Sequence, residues 1–316
     1  MPAQESFTPE QLRQLAGRDG FRPFDGNPVL VPGDEGEWDA GALGSMTVVK
    51  AGGVYHMYYE AWGVRTDAAW SLEEYSTLQI GHATSPDGVH WTKDPAGPVI
   101  PRGAEDGAWD LGGTWDPFVI HEDGVFKMWH GGGNAVCDWG YATSRDGSSF
   151  RKHGRISDLG KVEDVHVARD EGGRYHMYYW DRAHEPEGLF HATSPDETTF
   201  DFAAAEKVAI GGEGYPGMYK FTHVFMEDGK WYMLYGDFVR PHCAGSTVRL
   251  ATSPDGAEWT RVTGDLLEGH DGEIVRAADR LYLMYHGPRG RFDARDCDIR
   301  VALYHGDLDA LARRPH

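Results

Sequence analysis

Apolar positions along this chain come in short runs rather than in helical stripes. Five times over, an apolar strand, a polar turn with Gly or Asp and an aromatic-rich strand follow one another. The pairs are Met46-Thr-Val-Val with Val54-Tyr-His-Met-Tyr-Tyr59, Pro117-Phe-Val-Ile with Phe126-Lys-Met-Trp129, Val165-His-Val-Ala with Tyr175-His-Met-Tyr-Tyr179, Thr222-His-Val-Phe with Trp231-Tyr-Met-Leu-Tyr235, and Glu273-Ile-Val with Leu281-Tyr-Leu-Met-Tyr285. β-Branched and aromatic residues in such runs predict strands. Strand pairs arriving five times predict five small antiparallel sheets.

A second regularity follows four of the pairs. Ala-Thr-Ser-x-Asp recurs at Ala83, Ala142, Ala192 and Ala251, each copy trailed by an aromatic: Trp91, Phe150, Phe200 and Trp259. Spacings of about 50 to 60 residues are repeat periods of supersecondary units. The tag reads as turn chemistry, with Pro presetting φ and Gly taking φ above zero. Asp87, Asp146, Asp196 and Asp255 are therefore expected to shape turns, not to catalyse. The fifth pair lacks the tag and continues into Ile299-Arg-Val-Ala-Leu-Tyr304.

The ends of the chain decide between a ring and a stack. Pro28-Val-Leu-Val-Pro-Gly-Asp-Glu-Gly-Glu-Trp-Asp39 resembles Pro98-Val-Ile-Pro-Arg-Gly-Ala-Glu-Asp-Gly-Ala-Trp-Asp110, which leads from the first unit into the second. Residues 28 to 31 are then the missing outer strand of the fifth unit. A chain that completes its last sheet with its first strand closes a ring and protects the sheet edges. The predicted fold is all-β: a five-bladed β-propeller of four-stranded antiparallel blades over residues 28–316, closed by the N-terminal strand. Residues 1–27 form an extension with one short helix, N-capped by Thr8 with Pro9 and Gln11 in its first turn and stopped at Gly17.

Charge narrows the partners. Asp and Glu outnumber Lys and Arg 50 to 30, for a formal charge of -20 over 316 residues, and no basic run offsets that field. Nucleic acid and anionic membrane are excluded as leading partners. The N-terminus carries no signal-peptide pattern and no apolar stretch reaches bilayer length. Cys137, Cys243 and Cys297 form neither a disulfide framework nor zinc-ligand pairs. A cytoplasmic protein is expected.

Candidate chemistry lies where the innermost strands begin near the axis. Counting back ten residues from the aromatic that opens each second strand, with one insertion in the third unit, gives Ser45, Asp116, Asp164, Phe221 and Asp271. Three carboxylates at equivalent positions would converge on one mouth, where like charges raise one another's pKa. Beside them stand Glu163, His270 and Glu273, and His166 and His223 lie two residues along their strands on the same face. Sugar hydroxyls are the expected target of these groups, and no metal or cofactor is required. Trp38, Trp109, Trp115, Trp139 and Trp180 flank strand ends. Trp38 and Trp109 repeat one another and read as packing, while Trp115 and Trp180 are candidate platforms for a sugar face.

The fivefold repeat, the Asp116-Pro117 strand start, the Gly-turn-aromatic pairs and the Ala-Thr-Ser-x-Asp-Gly turns resemble the five-bladed β-propeller glycoside hydrolases, the superfamily that includes families 32, 43 and 117. The resemblance spans roughly residues 28 to 305. It implies a glycosidase with three inner-strand carboxylates: a base or nucleophile, an orienting acid and a proton donor. In family 43 these fall on blades one, three and four, where this chain has Ser45, Asp164 and Phe221. The cyclic order survives if counted from the fifth blade, which implies Asp271 as base, Asp116 as orienting acid and Asp164 or Glu163 as donor. The expected function is hydrolysis of a short oligosaccharide or glycoside, exo-acting, with furanosides among the candidates. Ser45 and Phe221 in place of acids support an alternative, a non-catalytic carbohydrate-binding propeller. A further alternative is lyase, phosphorylase or His- and metal-dependent chemistry on the same scaffold.

Overall fold

The computed structural model describes residues 6–63, 76–133, 137–157, 159–160, 162–182, 187–211, 219–237, 247–261, 264–288 and 297–312. Five sheets follow the five repeats, four of them four-stranded. The fourth blade is antiparallel in its main strands and adds Ile210–Gly211, parallel to Trp259–Arg261, and Leu267–Glu268. The innermost strands are Ala42–Ala51, Thr114–Glu122, Val162–Arg169, Tyr219–Glu227 and His270–Ala278. They pack in cyclic order, the fifth returning against the first, as a propeller requires.

The hairpin turns explain why the strand pairs are so regular. Ala51 pairs with Val54 around Gly52-Gly53, Glu122 with Val125 around Asp123-Gly124, and Glu227 with Lys230 around Asp228-Gly229. All six turn residues have positive φ, the two-residue geometry whose twist matches the flanking strands.

The N-terminal segment closes the ring. Arg22 and Pro23 pair with Leu303 and Ala302 as the fourth strand of blade five, and Leu30 bridges Ile299. The closing pairing thus starts ahead of residue 28, inside the segment expected to be an extension. Helix Pro9–Leu15 has the expected capping box, with Thr8 and Gln11 exchanging bonds. Leu12 and Ala16 are buried in the core between blades five and one, so the helix is docked on the ring.

The core lies between blades. Leu283, Tyr285 and Val301 of blade five meet Met46, Val48 and Met57 of blade one, and four similar clusters fill the other seams. The repeated tag locks four of these seams. Asp87 Oδ1 accepts the N–H groups of Val89 and His90, and Asp146, Asp196 and Asp255 each accept the N–H groups two and three residues on. The turn so held presents a carbonyl to the preceding blade: Tyr285 donates to Gly88, Tyr58 to Gly147, Trp129 to Glu197 and Tyr178 to Gly256. Trp38 stacks on Tyr59 and Trp109 packs on His130, the structural roles expected of that pair. Trp139 is buried in the seam of blades two and three.

Cys137 and Cys297 are not joined in a disulfide, and Cys243 lies outside the described residues. No helix among the described residues is long and apolar enough to cross a membrane.

Candidate active site

Every innermost strand breaks its ladder near its start, two of its residues opposing one on the next strand. Asp116 and Pro117 oppose His130, Asp164 and Val165 oppose Tyr179, Phe221 and Thr222 oppose Tyr235, and Asp271 and Gly272 oppose His286. In blade one Gly44 and Ser45 oppose Glu60. These are β-bulges, which bend a strand and re-aim a side chain. Asp116, Asp164 and Asp271 have φ of 43°, 51° and 53°, the left-handed region that Asp tolerates through local hydrogen bonding. Such backbone is costly and clusters at functional sites.

Ser45, Asp116, Asp164 and Asp271 share the wall of one pocket with His166 and Glu273. Asp164 and Asp271 are buried, at 8% and 9% exposure. The position counted in the sequence is thus the position at which the acids converge. The side chain of Phe221 lies outside the described residues.

A chain of backbone donors links the acids across blades. Glu60 of blade one accepts the Asp116 N–H at 2.9 Å, and Asp116 Oδ2 accepts the Asp164 N–H at 3.5 Å. Asp271 Oδ2 is held by His270 Nδ1 at 2.6 Å. Burial raises Glu60 to about 7, helped by the Asp271 and Asp164 carboxylates against the N–H groups of Asp116 and Ser45. Asp116 is pushed well above the carboxylate range by burial first, then by Glu60, Glu163 and Asp271, while a hydrogen bond with Ser45 opposes the rise. Asp116 thus holds its proton more tightly than a free carboxyl does.

Two residues further along each strand lies a second tier of side chains. Thr47 Oγ1 donates to Glu273 Oε1 at 3.1 Å, and Glu273 Oε2 lies 2.9 Å from His223 Nδ1. The His223 ring stacks on His166 at 5.7 Å, and His166 meets Phe118 at 4.7 Å. His223 Nδ1 also accepts the Ile274 N–H at 3.0 Å. Burial, then His223, holds His166 well below the usual imidazole range, so its ring is neutral.

Several expected site residues stand apart from the pocket. Glu163 forms an ion pair with Arg182 at 2.6 Å instead of joining the wall. Trp115 is 7% exposed, packed with Trp62, Leu78 and Cys297, and its indole occupies the space that Gly131 leaves open. Trp180 is 2% exposed in the seam of blades three and four. Neither ring presents a face to a sugar, because each fills an interblade gap. His270 meets the site at Asp271, and His223 at Glu273 and His166. Among the described residues no group of three or more His, Cys, Asp or Glu is spaced to hold a metal ion.

Glu60 was not anticipated. Its signal in the sequence is a single carboxylate within the apolar run Tyr58-Tyr59-Glu60-Ala61-Trp62, a placement that needs a polar partner.

No family model matches the chain. An uncharacterized protein of Mycobacterium tuberculosis is 27% identical over 227 residues, covering 66% of this chain and 71% of that protein. The β-1,2-mannobiose phosphorylase of Listeria innocua, solved with β-1,2-mannobiose, superposes with a TM-score of 0.71 at 15% identity, over 90% of this chain and 96% of that one. A member of the GH130 family, mannoside phosphorylases that include glycoside hydrolases targeting β-1,2-mannosidic linkages, gives 0.67 at 17% identity over 96% and 97%. The likeness to both solved proteins is one of fold, the five-bladed β-propeller.

Proposed function

We propose that this protein is a glycosidase that hydrolyses a short β-1,2-linked mannoside from its chain end. One observation carries the reading. Three aspartates on left-handed bulges meet in a pocket whose described wall holds four carboxylate residues and no Lys or Arg. Such a wall suits a neutral sugar and an attacking water better than a phosphate dianion. The mannoside linkage comes from the structural neighbours, and it replaces the furanoside considered from sequence. Thr47, Glu273, His223, His166 and Phe118 form a run of side-chain contacts two residues along the strands from the acids, an arrangement that suits a pocket taking a chain end.

In this reading Asp116 donates its proton to the glycosidic oxygen as the bond from the anomeric carbon breaks. Asp271, oriented by His270, takes a proton from the water whose oxygen bonds to that carbon. Asp164, its N–H on the Asp116 carboxyl, orients the donor. Asp116 takes the donor role that cyclic order suggested for Asp164 or Glu163, because burial and Glu60 raise its pKa and Arg182 engages Glu163.

A second reading, phosphorolysis, is supported by the Listeria neighbour. The test is incubation with β-1,2-mannobiose and aryl β-mannosides, with and without inorganic phosphate. Free mannose formed equally in both supports hydrolysis. Mannose 1-phosphate formed only with phosphate supports phosphorolysis. Binding without turnover supports the carbohydrate-binding alternative.

A further inference from the structure

Glu60 lies on the second strand of blade one, Val54–Trp62, at 6% exposure. Its Oε2 accepts the Asp116 N–H at 2.9 Å, at the point where the bulge interrupts the blade-two ladder. Gly44 makes room for it: a Cβ there would overlap the Glu60 carboxyl and crowd the Trp62 ring. Asp116 sits at φ of 43°, and backbone of this kind persists only where its surroundings over-determine it. The Glu60 bond supplies such a constraint from a neighbouring blade.

We infer that Glu60 is a positioning residue for Asp116: it fixes the bulge that aims the Asp116 carboxyl into the pocket and sets the charge which that carboxyl faces. The inference rests on the assignment of Asp116 as proton donor. The groups that face Glu60 are Asp116 of blade two, Asp164 of blade three and Asp271 of blade five; those that face Asp116 are Glu60, Glu163, Asp271 and Ser45. Every charged member is a carboxyl, so the pair titrates as a coupled unit, and removing the Glu60 charge makes Asp116 easier to ionise.

Two readouts test this. The first is the titration of the Asp116 carboxyl, followed by carbon-13 NMR in the substrate-free protein with Asp116→Asn for assignment. In Glu60→Gln, which keeps an acceptor for the N–H and loses the charge, the Asp116 titration moves to lower pH. The second is the pH–rate profile on the mannoside that the wild type turns over. Its alkaline limb moves to lower pH in Glu60→Gln, so that on this limb the variant falls about tenfold behind the wild type for every whole pH step the limb has moved. Glu60→Asp keeps the charge and shortens the reach, so kcat falls while the limb stays in place. An unmoved Asp116 titration in Glu60→Gln overturns the inference, as does wild-type kcat in Glu60→Asp. Full turnover by Asp116→Asn would instead remove the donor assignment, and the NMR result would still decide whether Glu60 governs Asp116.

Discussion

Thr47 Oγ1 donates to Glu273 Oε1 across 3.1 Å, joining the first blade to the last at the pocket wall. Glu273 is 3% exposed and also accepts the Val48 N–H at 3.5 Å. Its carboxylate therefore belongs to ring closure as much as to the pocket. Glu273→Ala leaves the Thr47 hydroxyl and the Val48 N–H without their partner in a buried site, at a cost of about 1–3 kcal/mol. Urea denaturation checks this: the midpoint falls with the slope unchanged, and Thr47→Val combined with Glu273→Ala costs less than the two separate losses added.

The proposed roles rank two acids. Asp116→Asn is expected to lower kcat about 10²- to 10⁴-fold, the range for loss of a general acid. Glu163→Gln, which removes the ion pair with Arg182 off the pocket wall, lowers it less than about threefold, within the small energies of exposed pairs. Steady-state kinetics on the active mannoside orders them. A larger loss in the Glu163 variant would return the donor role to that residue.

Stability should fall on mild acidification. His130 and His286 are buried and shifted down to about 4 by that burial. The unfolded chain takes up their protons near 6.5 and the folded chain only near 4, so stability is present above the unfolded value and is lost as pH falls through that window. Urea midpoints between pH 7 and pH 4.5 measure the slope, and His130→Phe should flatten it.

Glu60 has the opposite sign. Its folded value of about 7 lies above the usual 4.5, so the folded state binds the extra proton and stability is lost as pH rises from 4.5 through 7. Glu60→Gln should therefore gain stability relative to wild type on going from pH 5 to pH 8, by on the order of 2 kcal/mol. Paired urea titrations at the two values decide it. A variant that tracks the wild type at both would mean that Glu60 is ionised throughout.

The interblade latches make a structural prediction. Tyr285→Phe removes the hydroxyl that donates to Gly88 at 2.8 Å, while that carbonyl keeps the Trp91 indole N–H at 3.1 Å, so the loss is that of one hydrogen bond, about 0.5–1.5 kcal/mol. Thermal melts should show the loss while kcat is retained, since the seam lies away from the pocket.

Fold and site were legible in the sequence to different depths. Strand pairs, hairpin turns and the Ser-x-Asp-Gly tag are local, set by β-branched and aromatic runs and by residues that accept positive φ, so five repeats sufficed to read five blades. Counting along equivalent strands also placed Asp116, Asp164 and Asp271 together, because a repeat puts equal positions at equal distances from the axis. What each side chain faces across a seam is not local. Trp115 and Trp180 are flat rings at strand ends whether they stack on a sugar or fill a gap, and only the packing of neighbouring blades buried them. The Arg182 ion pair drew Glu163 away from the wall, and the Arg22–Pro23 pairing carried closure into a segment with no strand signature. The sequence by itself determined the number of blades and the register of the acids. Only the ring determined that Glu60 meets the Asp116 bulge, because that bond joins two blades whose approach exists once all five have closed.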